Sequence, residues 1–149
     1  MIGEKIMSDI ILVSGGFDPI HSGHIKLINE AHKYGDVVVL LNSDQWLRNK
    51  KGKEFLPFDE RKIIMKSIKG VKEVIEFDDS DKTCIDGIQK AKSLYKNNKI
   101  KFANGGDRKN DTTPEKKFCD RNNIETLFGI GGDDKSNSSS WILNKWNEK

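Results

Sequence analysis

The sequence predicts a single doubly wound α/β domain with about five parallel strands. Three observations carry that expectation. Apolar, β-branched runs alternate with segments of helical periodicity along the 149 residues. The run Val37-Val38-Val39-Leu40-Leu41 is continuously apolar, as a strand covered on both faces requires. Glycine turns follow two of the apolar runs, at the carboxyl ends of strands, where open α/β sheets bind ligands.

Taken in order, residues 1–9 are mixed in charge and read as a flexible lead-in to a domain over 10–149. Residues 10–13 form the first strand, and His24, Leu27, Ile28 and Ala31 recur at i, i+3, i+4 and i+7 on one face of a helix. Gly35 closes that helix in the role of a C′ glycine. The second strand follows at 37–41, completing one βαβ unit. Ser43 or Asp44 caps a short helix through Arg48, and residues 48–53 read as a basic loop. A helix over 57–69 has Pro57 near its start, acidic residues in its first turn and Gly70 past its end. Strands at 74–77, 100–103 and 124–128 and helices at 83–96 and 114–121 complete the pattern. The acidic residues 78–81 read as a surface loop without the spacing of a calcium loop. Residues 129–140 are rich in glycine and serine and lead into Trp141-Ile142-Leu143, with serines placed to cap a final helix.

The chemistry concentrates where the first strand meets the first helix. Gly15 and Gly16 allow a close backbone approach, and the first N–H groups of the helix point into the turn, which makes an anion site. His21 and His24, two of the three histidines, lie one helical turn apart and project from the same side. Two imidazoles beside helix amides suit charge developing on a transferring phosphoryl group. Lys50, Lys51 and Lys53 follow the second strand at the ligand-binding edge. Arg61 heads the apolar line Ile64, Met65, Ile68; it either reaches a phosphate or forms a structural ion pair. The second glycine turn, Asn104-Gly105-Gly106-Asp107-Arg108, converges on the same crevice, with Arg108 as a further phosphate donor.

Phe17-Asp18-Pro19-Ile20-His21-Ser22-Gly23-His24 resembles the signature of the HxGH nucleotidyltransferases of the cytidylyltransferase-like superfamily, which includes glycerol-3-phosphate cytidylyltransferases and heptose-1-phosphate adenylyltransferases. The resemblance extends from Ile10 to Leu143 and implies a Rossmann-like sheet. It also implies transfer of a nucleoside monophosphate from CTP or ATP to a phosphorylated small-molecule acceptor, with release of pyrophosphate. In that scheme His21, His24 and Lys50 or Lys51 are catalytic. Gly15, Gly16, Phe17, Asp18, Arg61, Gly106, Asp107, Arg108, Lys135, Ser138, Ser139 and Ser140 address nucleotide and phosphates. Asp18 and Asp107 orient the nucleotide or its metal, Mg²⁺ accompanies the triphosphate, and Ser138-Ser139-Ser140 stands for the family's Ser-Thr-Thr-like element. One departure is the lack of an arginine shortly before those serines, where Lys135 is the nearest cation and lacks a guanidinium's planar fork. Relatives are often dimers; Trp141 and Trp146 either face a partner copy or cover the core.

Composition bounds the alternatives. Two cysteines, Cys84 and Cys119, form neither a disulfide framework nor a zinc set, which suits a reducing cytoplasm. A net charge of +3 is too mild to argue for a nucleic-acid partner and suits small phosphate substrates equally well. No apolar run approaches the ~18 residues of a membrane span. A dinucleotide oxidoreductase would want Gly-x-Gly-x-x-Gly after the first strand, and Gly15-Gly16-Phe17-Asp18 does not supply it. A non-catalytic nucleotide-binding module would keep the fold and lose the chemistry; retention of both histidines and the lysines argues for the enzyme.

Overall fold

The computed structural model describes residues 7–104, 113–131 and 139–148. Its elements run β1 (Ile10–Gly15), α1 (Ser22–His32), β2 (Asp36–Leu41), α2 (Asp44–Lys51), α3 (Phe58–Lys66), β3 (Val71–Glu76), α4 (Ile85–Leu94), β4 (Ile100–Asn104), α5 (Pro114–Arg121), β5 (Glu125–Phe128) and α6 (Ser139–Asn147). The five strands form one sheet in the order β3-β2-β1-β4-β5, and every neighbouring pair is parallel. The chain winds outward from β1 in one direction and then from β4 in the other. The switch point therefore lies between β1 and β4, with a crevice at their carboxyl ends.

Alternation along the strands divides the core in two. Ile11, Val13, Val37, Val39 and Leu41 pack against Ile28 and Ala31 of α1 and Met65 of α3. Ile10, Leu12, Val38 and Leu40 pack on the opposite face against Ile88 and Ala91 of α4 and Cys119 of α5. The continuously apolar β2 is what a strand buried on both faces needs, and Val37 to Leu41 are fully buried.

Several boundaries differ from expectation. α2 continues to Lys51, with Gly52 as its C-cap at φ +93°, so Lys50 and Lys51 belong to its last turn and not to a loop. Basic side chains at a helix C-terminus complement its dipole, which favours the longer helix. Gly35 is not the C′ residue of α1; Lys33 is the C-cap. The glycine is needed because a Cβ there would lie 2.2 Å from the Asp9 carbonyl oxygen. β3 begins three residues early, at Val71, because its amphipathic start is recruited by pairing with β2. α3 and α4 are shorter than their periodic patterns. Trp141 and Trp146 are 52% and 80% exposed, so neither covers the core. Among the described residues no helix is long and apolar enough to cross a membrane.

Candidate active site

The turn from β1 into α1 is built by its own side chains. Phe17 adopts φ 50°, a left-handed conformation that costs a bulky residue about 1–3 kcal/mol. Its buried ring holds it there, packed under Gly15 and meeting the His24 ring edge-on at 4.9 Å. Gly16 is required by close approach, since a Cβ would lie 2.6 Å from Leu47 Cδ2 on α2.

The two histidines cap α1. His21 is the extended N-cap residue, and its Nδ1 accepts from the Gly23 N–H at 3.0 Å. His24 returns the interaction, its Nδ1 accepting from the His21 N–H at 3.2 Å. Imidazoles thus occupy both positions of a capping box that usually pairs a hydroxyl with a carboxylate. An accepting Nδ1 is unprotonated, so each neutral ring carries its proton on Nε2 as a donor. The rings lie 3.8 Å apart at 30°. Burial, then His21, then the Lys51 ammonium lower the His24 pKa to about 4, which keeps that ring neutral at pH 7.

His24 lines a cleft of about 360 Å³ together with Gly16, Trp46, Lys50, Lys51 and Ser139. Lys50 Nζ stands 4.8 Å over the Trp46 ring. Lys51 Nζ donates to the Asp18 carbonyl oxygen and lies 3.3 Å from Asp18 Oδ2. A second cleft of about 390 Å³ shares Ser14, Leu27, Asn42 and Trp46 with the first, so the crevice is continuous across the carboxyl edge of the sheet. Cys84 lines this half, but burial pushes its thiol up to about 12, which leaves it inert as a nucleophile.

Other expected site residues have different tasks. Asp18 is buried, and its carboxylate accepts from the Phe55 and Leu56 N–H groups at 2.6 and 2.8 Å. It anchors the 52–57 connection and Lys51, and the residue lines the same cleft as His24. Arg61 is 1% exposed; it donates to the carbonyls of Leu56, Gly16 and Asn42 and pairs with Asp44 at 2.7 Å. It forms the structural ion pair of its two alternatives, with four of its five N–H donors engaged within the fold. Ser139 Oγ donates to the Pro19 carbonyl at 2.8 Å, tying the start of α6 to the histidine turn. Lys53 lines another cleft beside α6, with Phe55 and Trp146, which meets the His24 cleft at Lys51. Gly106, Asp107, Arg108, Lys135 and Ser138 lie outside the described residues, as does the Ser140 side chain.

Sequence reasoning missed Asp79 and Trp46. Asp79 is 8% exposed within what reads as a solvated acidic loop. Trp46 lines both halves of the crevice; a lone aromatic beside Leu47 on a mostly polar α2 was the available signal.

The sheet order, the switch-point crevice and the histidine-capped helix define a doubly wound α/β domain with a candidate site at its carboxyl edge. Residues 12–135 match the cytidylyltransferase-like family, and the chain belongs to it. It is 38% identical over 66 residues to glycerol-3-phosphate cytidylyltransferase of Bacillus subtilis, covering 44% of this chain and 51% of that protein. It is 37% identical over 78 residues to the bifunctional protein HldE of Psychromonas ingrahamii, covering 50% of this chain and 16% of that protein. FAD synthase of Ferroglobus placidus is 32% identical over 71 residues, 48% of this chain and 47% of that protein. The matched stretches therefore span at most about half of these relatives. The lipopolysaccharide core biosynthesis protein from Thermoplasma volcanium shares the fold at a TM-score of 0.61 and 23% identity, covering 81% of this chain and 93% of that one.

Proposed function

We propose that the protein transfers a nucleoside monophosphate from CTP or ATP to a phosphorylated small molecule and releases pyrophosphate. The observation that carries this reading is the reciprocal histidine cap, which holds His24 with its Nε2–H as a donor in the switch-point crevice beside Lys50 and Lys51, while the first amides of α1 are taken up by His21. An oxygen of the acceptor phosphate attacks the α-phosphorus. The bond from that phosphorus to the α–β bridging oxygen breaks, and its electron pair leaves with pyrophosphate. His21 and His24 stabilise charge on the α-phosphate and bridging oxygens, while Lys50 and Lys51 neutralise the triphosphate.

Neutral imidazoles, ammonium groups and backbone N–H groups suit anions rather than a hard cation. Among the described residues no group of three or more His, Cys, Asp or Glu is placed to hold a metal. In this proposal Mg²⁺ comes with the substrate, on the triphosphate. Asp107, Arg108, Lys135 and Ser138 to Ser140 complete the nucleotide site in this proposal, and the cytoplasm is its setting.

The test is pyrophosphate release with Mg²⁺, crossing four nucleoside triphosphates with glycerol-3-phosphate, heptose-1-phosphate, FMN and phosphonate acceptors. Acceptor-dependent release with one nucleotide supports the reading and names both substrates. Tight nucleotide binding without release across the panel favours a binding module, and neither binding nor release overturns the reading.

A further inference from the structure

The cations of the crevice sit at the end of α2, and the start of that helix is held by residues remote in sequence. Asp79 follows β3 in the loop before α4. Its Oδ2 accepts from the Ser43 N–H at 2.8 Å and from Asn42 Nδ2 at 3.0 Å, and its Oδ1 accepts from Ser43 Oγ at 2.7 Å. Ser43 Oγ in turn accepts from the Trp46 N–H at 3.1 Å, which caps α2. A carboxylate at this end also complements the helix dipole. From the other side Arg61 donates to the Asn42 carbonyl at 2.8 Å and to Asp44 at 2.7 Å. Residues 42–44 are thus gripped between an anion from one loop and a cation from another helix.

We propose that Asp79 is a positioning residue for the phosphate-gripping lysines, setting through Ser43 the direction in which α2 carries Trp46, Lys50 and Lys51 into the crevice. An eight-residue helix is about 12 Å long, so a tilt of about 10° at its first turn displaces its far end by about 2 Å. Misplacement on that scale costs a positioned group on the order of a hundredfold in rate. Lys82 and Thr83, three and four residues past Asp79, line the second half of the crevice. The Lys82 N–H donates to the Asp79 carbonyl oxygen at 2.9 Å, so Asp79 joins that wall to the lysine-bearing helix through its backbone on one side and its carboxylate on the other.

The inference rests on the nucleotidyltransferase reading for its ligand, so its test carries one readout that does not. Asp79→Asn keeps the volume but turns an amide NH₂ toward donors; Ser43→Ala removes only the hydroxyl link. Binding of inorganic tripolyphosphate is measured by calorimetry, well below each variant's Tm. The expected result is a Kd raised about tenfold by Asp79→Asn and severalfold by Ser43→Ala, with the double variant no weaker than Asp79→Asn alone. A lowered Tm with unchanged Kd, or effects that multiply in the double variant, overturns the proposal. If Asp79→Asn does not fold, Ser43→Ala decides alone. If the wild-type protein binds no tripolyphosphate, the nucleotidyltransferase reading is what fails. Amide exchange then decides for Asp79: faster exchange confined to residues 46–51 in the variants supports positioning, and uniform or absent acceleration overturns it.

Discussion

His21 and His24 cap one helix reciprocally, each Nδ1 accepting a backbone N–H within the first turn of α1, at 3.0 and 3.2 Å. Each ring thereby spends Nδ1 on structure, and the His24 ring also lines the crevice. This division can be separated by mutation. Asparagine is a favoured N-cap but places no donor where Nε2 stands. His21→Asn is expected to keep Tm within a few degrees while lowering turnover at least a hundredfold; His21→Ala should lose activity and also about 1 kcal/mol of stability. Thermal melts with pyrophosphate-release kinetics check both.

The lowered pKa of His24 makes stability depend on pH. The folded ring holds its proton only near pH 4, whereas the unfolded chain takes it up near 6.5. Between those values the unfolded state binds more protons, so stability is full above about 6.5 and declines as pH falls toward 4. His24→Asn should flatten this part of the Tm–pH curve. A titration of the His24 ring by NMR with a midpoint near 6.5 would falsify the assignment.

Arg61 predicts a large effect from a conservative change. Four hydrogen bonds from its guanidinium join the glycine turn, the start of α2 and the connection before α3. A lysine cannot reach these acceptors at once, and Asp44 would lose its partner. Arg61→Lys is expected to cost about 3–5 kcal/mol, read as a shift in urea midpoint, with kcat of the folded fraction falling less than in the histidine variants.

Both thiols should be silent. Burial pushes Cys84 up to about 12 and Cys119 up to about 11. A thiol reagent at pH 8 is therefore expected to label neither until denaturant is added. Labelling of the native protein at the rate of a free thiol would contradict the packing of the sheet face covered by α4 and α5.

Much of the fold was legible in local pattern. Val37 to Leu41 announced a strand buried on both faces, and the apolar line of α1 announced its inward side. The pair His21 and His24 was legible because a fixed spacing at a helix start places two side chains together without help from the rest of the chain. Boundaries were less so: Lys50 and Lys51 looked like loop because a charged run has no periodicity, and only the capping geometry at Ser43 and Gly52 makes them helix.

The sequence by itself determined the order of strands and helices, the glycine turn and the identity of the histidine pair, since each follows from interactions among residues within a turn or two. Only the tertiary structure decided what the isolated charges do. Asp18 and Arg61 look alike in sequence to residues that bind ligands and Asp79 to a solvated loop residue, yet each is buried and bonded to backbone or side-chain groups as far as 37 to 45 positions away. The partner that makes a buried charge tolerable comes from another element of the fold, and no local pattern records which one it will be.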